Sequence, residues 1–355
     1  MAEDHFSFSF ISTVSDIETI HTPRTGQHTD DFDLLLEYNE YVDEEGQLID
    51  CASDCSTSLA PSVYQHEYDH GRRYHSYKSG RYPLPNDSLE QQLEDLKHHL
   101  LLELTEGHLF LSDIGEHPQK IIDIGTGAVA DNHPGASVVG TDLSPIQPSW
   151  MPTNCRMFVE DCEEDEWLHG AGFDLVHLRS LSGVLRNPDA LLDGIYKNLR
   201  MGGWVEFQDF APEICCDDGT MKADDPLNRF TQLAVKGMRK LGCHRYGAQD
   251  MKDALERAGF VNVRLHTIKV PIGPWARDKR LKSVGGMMKV AVSESLGAFT
   301  AKPFNALDIP LRERKDLTVE VKESLEDKRI HRYVKFCFCY GQKGPEMKSD
   351  FESGS

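Results

Sequence analysis

Residues 121–144 hold the side-chain types and spacing that could do chemistry. In Ile121-Ile-Asp-Ile-Gly-Thr-Gly127 an apolar run reaches Asp123 and is followed by Gly125 and Gly127. Glycines at such a point let the chain turn sharply and let a ligand approach its backbone. A second run, Ser137-Val-Val-Gly-Thr141, stops at Asp142. A carboxylate at the end of a second strand can accept two hydrogen bonds from a ribose diol. The alternatives are an ordinary strand-to-helix turn for the glycines and a helix cap for Asp142. A further apolar run, Phe173–Leu178, carries His177. An imidazole titrates ordinarily near ~6.5, which suits a general base. The alternative for His177 is a strand residue that packs and bonds locally.

These residues need strands and helices to bring them together, and the pattern supplies both. Asp87-Ser-Leu-Glu90 has the form of a capping box, and Leu89, Leu93, Leu96, Leu100 and Leu104 follow at helical spacing. Short apolar strands are predicted at 120–124, 137–141, 156–159, 173–178, 204–207, 261–265 and 333–340. Between them, Leu192, Ile195, Tyr196 and Leu199 mark one helix face, with Gly202-Gly203 as its end. Asp225-Pro226 opens a helix with the face Leu227, Phe230, Ala234, Met238 and Leu241. Met251, Ala254, Leu255 and Ala258 mark another, stopped by Gly259. Strands alternating with helices predict an α/β protein with a seven-stranded, doubly wound, mostly parallel sheet. Segments 212–258 and 266–332 are read as helical insertions that line or cover an acceptor site. Trp204 and Trp275 are read as core residues.

Composition narrows the partners. The 355 residues carry 38 Lys and Arg against 58 Asp and Glu, a net charge of −20. That argues against a protein that grips nucleic-acid backbone, which needs a basic face. No run of apolar residues is long enough to span a membrane. The amino end is acidic where a secretory signal is basic, so an intracellular protein is expected, cytoplasmic or nuclear. Nine cysteines with no Cys-x-x-Cys pair read as reduced thiols rather than a disulfide frame or metal site. Residues 1–60 hold fourteen acidic side chains and one Arg. Residues 1–65 are therefore expected to be a disordered acidic tail, and 345–355 a second disordered tail, on either side of a domain at 66–344. Within the first tail, Phe32-Asp-Leu-Leu-Leu36 is either a short docking segment or an unstructured stretch with a few apolar residues.

Residues 70–343 resemble the fungal LaeA-like methyltransferases, which use S-adenosyl-L-methionine. The resemblance lies in Gly71-Arg-Arg-Tyr-His-Ser-Tyr77, Leu84-Pro-Asn-Asp87, Asp142-Leu-Ser-Pro-Ile-Gln-Pro148, His177-Leu-Arg-Ser-Leu181, Gly202-Gly-Trp204, Val270-Pro-Ile-Gly-Pro-Trp275 and Tyr340-Gly-Gln-Lys343. It implies a class I, Rossmann-like sheet with the last strand antiparallel beside the sixth. It implies a donor site at the carboxyl ends of the first strands. Asp123, Gly125 and Gly127 would lie against the methionine part of the donor, and Asp142 would hold the ribose, with Leu143 beside the adenine. Asp161 and Cys162 would meet the adenine edge. His177 to Ser180, Arg179 included, would end their strand next to the sulfonium. Tyr77, Tyr82 and Asn86 would close over the donor.

One feature departs from the family pattern of acid-x-Gly-x-Gly-x-Gly. Val129 stands at the third glycine, and only twelve residues, 125–136, join the first two strands. That is the least a crossover needs, about 10–12 residues, and leaves room for one helical turn. The amino end of that helix ordinarily offers N–H groups and partial positive charge to the donor's carboxylate. Two readings follow: a methyltransferase acting on a small-molecule acceptor in secondary metabolism, or a catalytically weakened regulator that works through a protein partner bound by the acidic tail. A nicotinamide-dependent oxidoreductase fits less well, because the glycine pattern is poor for a pyrophosphate.

Overall fold

The computed structural model describes residues 65–345, except 70, 126–128, 147–150, 165–166 and 244–245. The two tails, the Phe32–Leu36 segment and Gly127 lie outside the described residues.

A short antiparallel hairpin, β1 (His66–Asp69) and β2 (Arg72–His75), leads into helix α1 (Ser88–Leu104). The alternation then runs β3 (Lys120–Ile124), α2 (Val129–Asn132), β4 (Ser137–Asp142), β5 (Cys155–Val159), β6 (Phe173–Arg179), α3 (Pro188–Asn198) and β7 (Leu199–Cys215). It continues through α4 (Pro226–Lys240), α5 (Ala248–Arg257), β8 (Val261–Pro271), α6 (Lys279–Thr300), α7 (Lys302–Ala306), α8 (Leu311–Leu325) and β9 (Tyr333–Gln342). The seven-stranded sheet has the order β5-β4-β3-β6-β7-β9-β8. Strands β3 to β7 pair parallel, and β9 lies antiparallel between β7 and β8. This is the doubly wound class I topology expected from the sequence, with the reversal of strand order between β3 and β6, where open α/β sheets bind ligands.

Burial explains the apolar runs. Alternate residues of a strand face opposite sides of a sheet. Ile121, Val138 and Leu175 pack on one side with Val129 of α2 and Trp204. Ile122, Ile124, Val176 and Leu178 pack on the other with α3 and α5 through Leu192, Ile195 and Leu255. Helices α1, α4, α6, α7 and α8 build a second core beyond the sheet, around Leu100, Phe230, Val284, Phe304, Val321 and Phe336. Segments 212–258 and 266–332 are thus mostly helical, but 212–215 and 266–271 extend strands β7 and β8.

Two local expectations need correction. Gly202-Gly203 does not end α3, which stops at Asn198. Both glycines lie in β7, and a Cβ on Gly203 would sit 2.6 Å from the carbonyl oxygen of Phe173, so the close approach of β6 demands glycine there. The capping box at α1 is half formed. Asp87 accepts from the Glu90 N–H at 3.1 Å, while the Glu90 carboxylate receives Arg72 from the hairpin instead.

Buried charges tie the layers together. Fully buried Glu206 of β7 accepts from the backbone N–H groups of Leu111 and Ser112, the Ser112 hydroxyl and Gln208. It thereby fixes the segment after α1 to the sheet. Arg332, just before β9, donates to Asp225 at 2.9 Å and 2.5 Å and to the Ser324 carbonyl of α8 at 3.0 Å. Asp225 is also the N-cap of α4. Trp204 is a core residue as read, whereas Trp275 is half-buried, stacked on His331 and bonded to the Arg332 carbonyl.

Candidate active site

The carboxyl ends of β3, β4 and β6 meet beneath the segment that precedes the sheet. Gly125 leaves β3 with φ +82°, a left-handed conformation that suits glycine, and its N–H donates to the Thr141 carbonyl at 2.8 Å. A side chain there would press on the Arg179 carbonyl and Leu181, each 3.4 Å away. The following helix α2 spans only Val129–Asn132, the single turn foreseen from the length of the crossover. Four residues make a weak dipole, so this end of the cleft has little of the positive charge a full helix would give.

Asp142 ends β4 in register with Val159 of β5. Its Oδ1 accepts from the Ser144 N–H at 2.8 Å. Burial pushes its carboxyl up to about 6, and Glu94 of α1 adds to the rise, against the pull of the Ser144 and Leu143 N–H groups. Leu143 follows, half-buried, at the lip of the strand. Tyr82 lies close by: burial, helped by Glu94, Glu90 and Asp142, holds its phenol well above the ordinary value. Asn86 donates to the Ser144 hydroxyl at 3.2 Å. The segment before α1 is therefore fastened over the end of β4.

A second fastening lies beyond β5. Arg81 donates to both oxygens of Asp161 at 2.8 Å and 3.3 Å, to Glu163, and to the Val184 carbonyl at 2.9 Å. The Asp161 carboxylate is thus committed to Arg81, and also accepts from the Glu163 N–H. Tyr77 is placed here rather than beside Asp142. Burial raises its phenol, and the charges of Glu164 and Asp161 add to the effect. Burial, reinforced by Asp161 and Glu163, pushes the Cys162 thiol far up, so it is a neutral apolar surface. The buried His75 ring bridges the carbonyls of Tyr77 and Tyr82 and shapes the segment between them.

His177 and Asp123 are direct neighbours across β6 and β3. The imidazole Nδ1–H donates to Asp123 Oδ1 at 2.7 Å in a site where both residues are buried. The carboxylate fixes the tautomer, leaving Nε2 as the proton-accepting atom of the neutral ring. Nε2 is itself buried and has no hydrogen-bond partner among the described residues. A further contributor, His98 of α1, was not singled out from the sequence. Burial pushes its imidazole down to about 4, and the Arg179 charge adds to the drop, with Asp123 opposing it. Its Nδ1 is also buried without a partner among the described residues. The available signal was positional: Glu90, Glu94, Lys97 or His98, and Leu101 share one stripe of α1. Arg81 was missed as well, because its partners lie about eighty residues away in sequence.

Sequence relatives decide what this cleft belongs to. A methyltransferase domain is matched over residues 96–265. The methyltransferase pytC of Aspergillus terreus is 37% identical over 310 residues, covering 85% of this chain and 95% of that protein. The secondary metabolism regulator laeA of Aspergillus flavus is 30% identical over 277 residues, 75% of this chain and 74% of its own. The protein-methionine methyltransferase laeA of Emericella nidulans is 30% identical over 284 residues, 76% of this chain and 74% of its own. The chain belongs to the fungal LaeA-like methyltransferase family. The methyl donor of this family is S-adenosyl-L-methionine, and the residues present fit it. Asp142 is a desolvated carboxylate at the end of β4, where it could accept from a ribose diol, and Gly125 has no side chain to obstruct a ligand at the end of β3. His177 lies in register with Asp123 of β3, and its Nε2 is buried without a partner among the described residues. Among the described residues no helix is long and apolar enough to cross a membrane, and no cluster of side chains suits a metal ion.

Donor binding should depend on pH. A ribose diol held by Asp142 would need the charged carboxylate, so protonation of Asp142 would compete with it. Affinity for S-adenosylhomocysteine should be level above pH ~7 and fall about tenfold per unit well below pH ~6. Calorimetric titration between pH 5 and 8 measures this, and Asp142→Asn should flatten the profile.

Proposed function

We propose that this chain is an S-adenosylmethionine-dependent methyltransferase whose acceptor is a small molecule of fungal secondary metabolism. The observation that carries the reading is the fastening of the pre-sheet segment over the strand ends. Asn86 and Arg81 fasten the pre-sheet segment beyond β4 and β5, and His98 of α1 feels the charges of Arg179 and Asp123 at the ends of β6 and β3. Strand ends covered in this way suit an acceptor small enough to be enclosed, and enclosure would exclude water from the transfer.

Bound, the donor supplies a methyl group already activated for in-line displacement. The protein's part is to hold the acceptor in line, which by itself can lower a barrier substantially. Asp142 would orient the ribose. His177, with Nδ1 held by Asp123, would take the proton of a hydroxyl or ammonium acceptor at Nε2. Asp161, bound by Arg81, would shape the adenine pocket together with Cys162 and Tyr77. Incubation with methyl-tritiated donor and a fungal extract, separated by mass, tests the acceptor class. Label in the low-mass fraction is expected. Label confined to protein would overturn the small-molecule reading.

A second reading is a regulator acting through protein partners, with residues 1–65 as the contact arm. The one-turn α2 and the similarity to the laeA regulators favour it.

A further inference from the structure

We propose that Arg179 holds the carboxylate of the donor's methionine arm, taking over the role that a full-length helix after β3 would serve. The inference rests on the donor-site reading above and assigns one of its residues a specific contact.

A donor carboxylate needs a positive partner when it leaves water. Helix α2 has four residues and offers little. Arg179 ends β6 directly beside the glycine turn: its carbonyl lies 3.4 Å from where a Gly125 Cβ would stand. It shares the strand face of His177, two residues earlier, which bonds to Asp123. Its guanidinium makes no hydrogen bond or ion pair among the described residues, and the residue is half-buried. By contrast, Arg72, Arg81, Arg200 and Arg332 each have a carboxylate partner. The nearby imidazole of His98 is held neutral and so does not compete for an anion. A planar fork of donors at that edge matches a carboxylate in bidentate fashion.

The test pairs a change in the protein with a change in the ligand. S-adenosylhomocysteine and its decarboxylated analogue, which keeps the ammonium, are titrated calorimetrically into the wild-type chain and Arg179→Ala. The wild type should bind the analogue about 30-fold more weakly. Arg179→Ala should bind both ligands at that weaker level, with no further loss on decarboxylation. Equal weakening of both ligands by the substitution would give Arg179 a merely structural part and overturn the proposal. So would unchanged affinity for S-adenosylhomocysteine. If Arg179→Ala does not fold, Arg179→Lys is measured; it should narrow the preference for the carboxylate to a few-fold, and an unchanged preference counts against the contact. Failure of the wild type to bind either ligand is a different result: it removes the donor site itself and the contact with it.

Discussion

Replacing Asp142 with alanine should weaken binding of S-adenosylhomocysteine at least about 100-fold. Hydrogen bonds to a charged group contribute roughly 1.5–3 kcal/mol each, and a ribose diol makes two to one carboxylate. The ligand-free protein should respond differently. Folding raises the Asp142 carboxyl from its ordinary value to about 6, chiefly by burial. The folded chain therefore holds this proton more tightly than the unfolded chain does. Stability from this group is greatest at acid pH and is lost as pH rises from about 4 through about 6. At neutral pH the charged carboxylate is a burden that donor binding at Asp142 would offset. Asp142→Asn keeps an acceptor for the Ser144 N–H and removes the charge. It should melt at or above the wild-type temperature at pH 7 while losing donor affinity. Thermal melts and calorimetry on the same sample separate the two effects. A simple loss of folding in both variants would place Asp142 among the structural residues.

Replacing Arg332 with alanine should cost about 3–5 kcal/mol of folding stability, because it leaves the buried Asp225 carboxylate without its partner. For a chain of this size that corresponds to a fall in melting temperature of roughly 10 °C. The consequence is local in origin. Arg332 joins the start of β9, the first turn of α4 and the last turn of α8. Losing it loosens the helical half against the sheet. The double variant Arg332→Met with Asp225→Asn keeps the cap acceptor for α4 and removes the stranded charge. It should recover most of the lost stability, as buried ion pairs commonly tolerate apolar replacement. A double variant as unstable as Arg332→Ala would show that the guanidinium's packing, rather than its charge, carries the effect.

How far the sequence foretold this arrangement follows from what each signal depends on. Strands buried on both faces announce themselves as apolar runs, and β3, β4 and β6 were read almost to the residue. The hairpin β1–β2 was not read, because His-Glu-Tyr-Asp and Arg-Arg-Tyr-His are polar and hold their place through Arg72 and Arg73, which bond to Asp87 and Asn86. Strand β7 runs eight residues beyond the expected Phe207. It runs through Pro212, which cannot donate to a ladder. The pairing with β9 shifts register between Phe210 and Ile214, and that irregularity accommodates the proline. The site divides in the same manner. Asp142 and Gly125 are marked by position at strand ends. His98 and Arg81 act only because α1 and the segment before it fold back over the sheet, which no local pattern encodes. The commitment of Asp161 to Arg81 is likewise a long-range fact.

Despite its one-turn crossover helix, the chain is expected to bind an adenosyl donor through Asp142. Calorimetric titration of the full-length, folded chain with S-adenosylhomocysteine at neutral pH addresses it most directly. One molecule per chain with micromolar affinity is the expected result. No heat of binding at millimolar ligand, from protein that melts cooperatively, would contradict it.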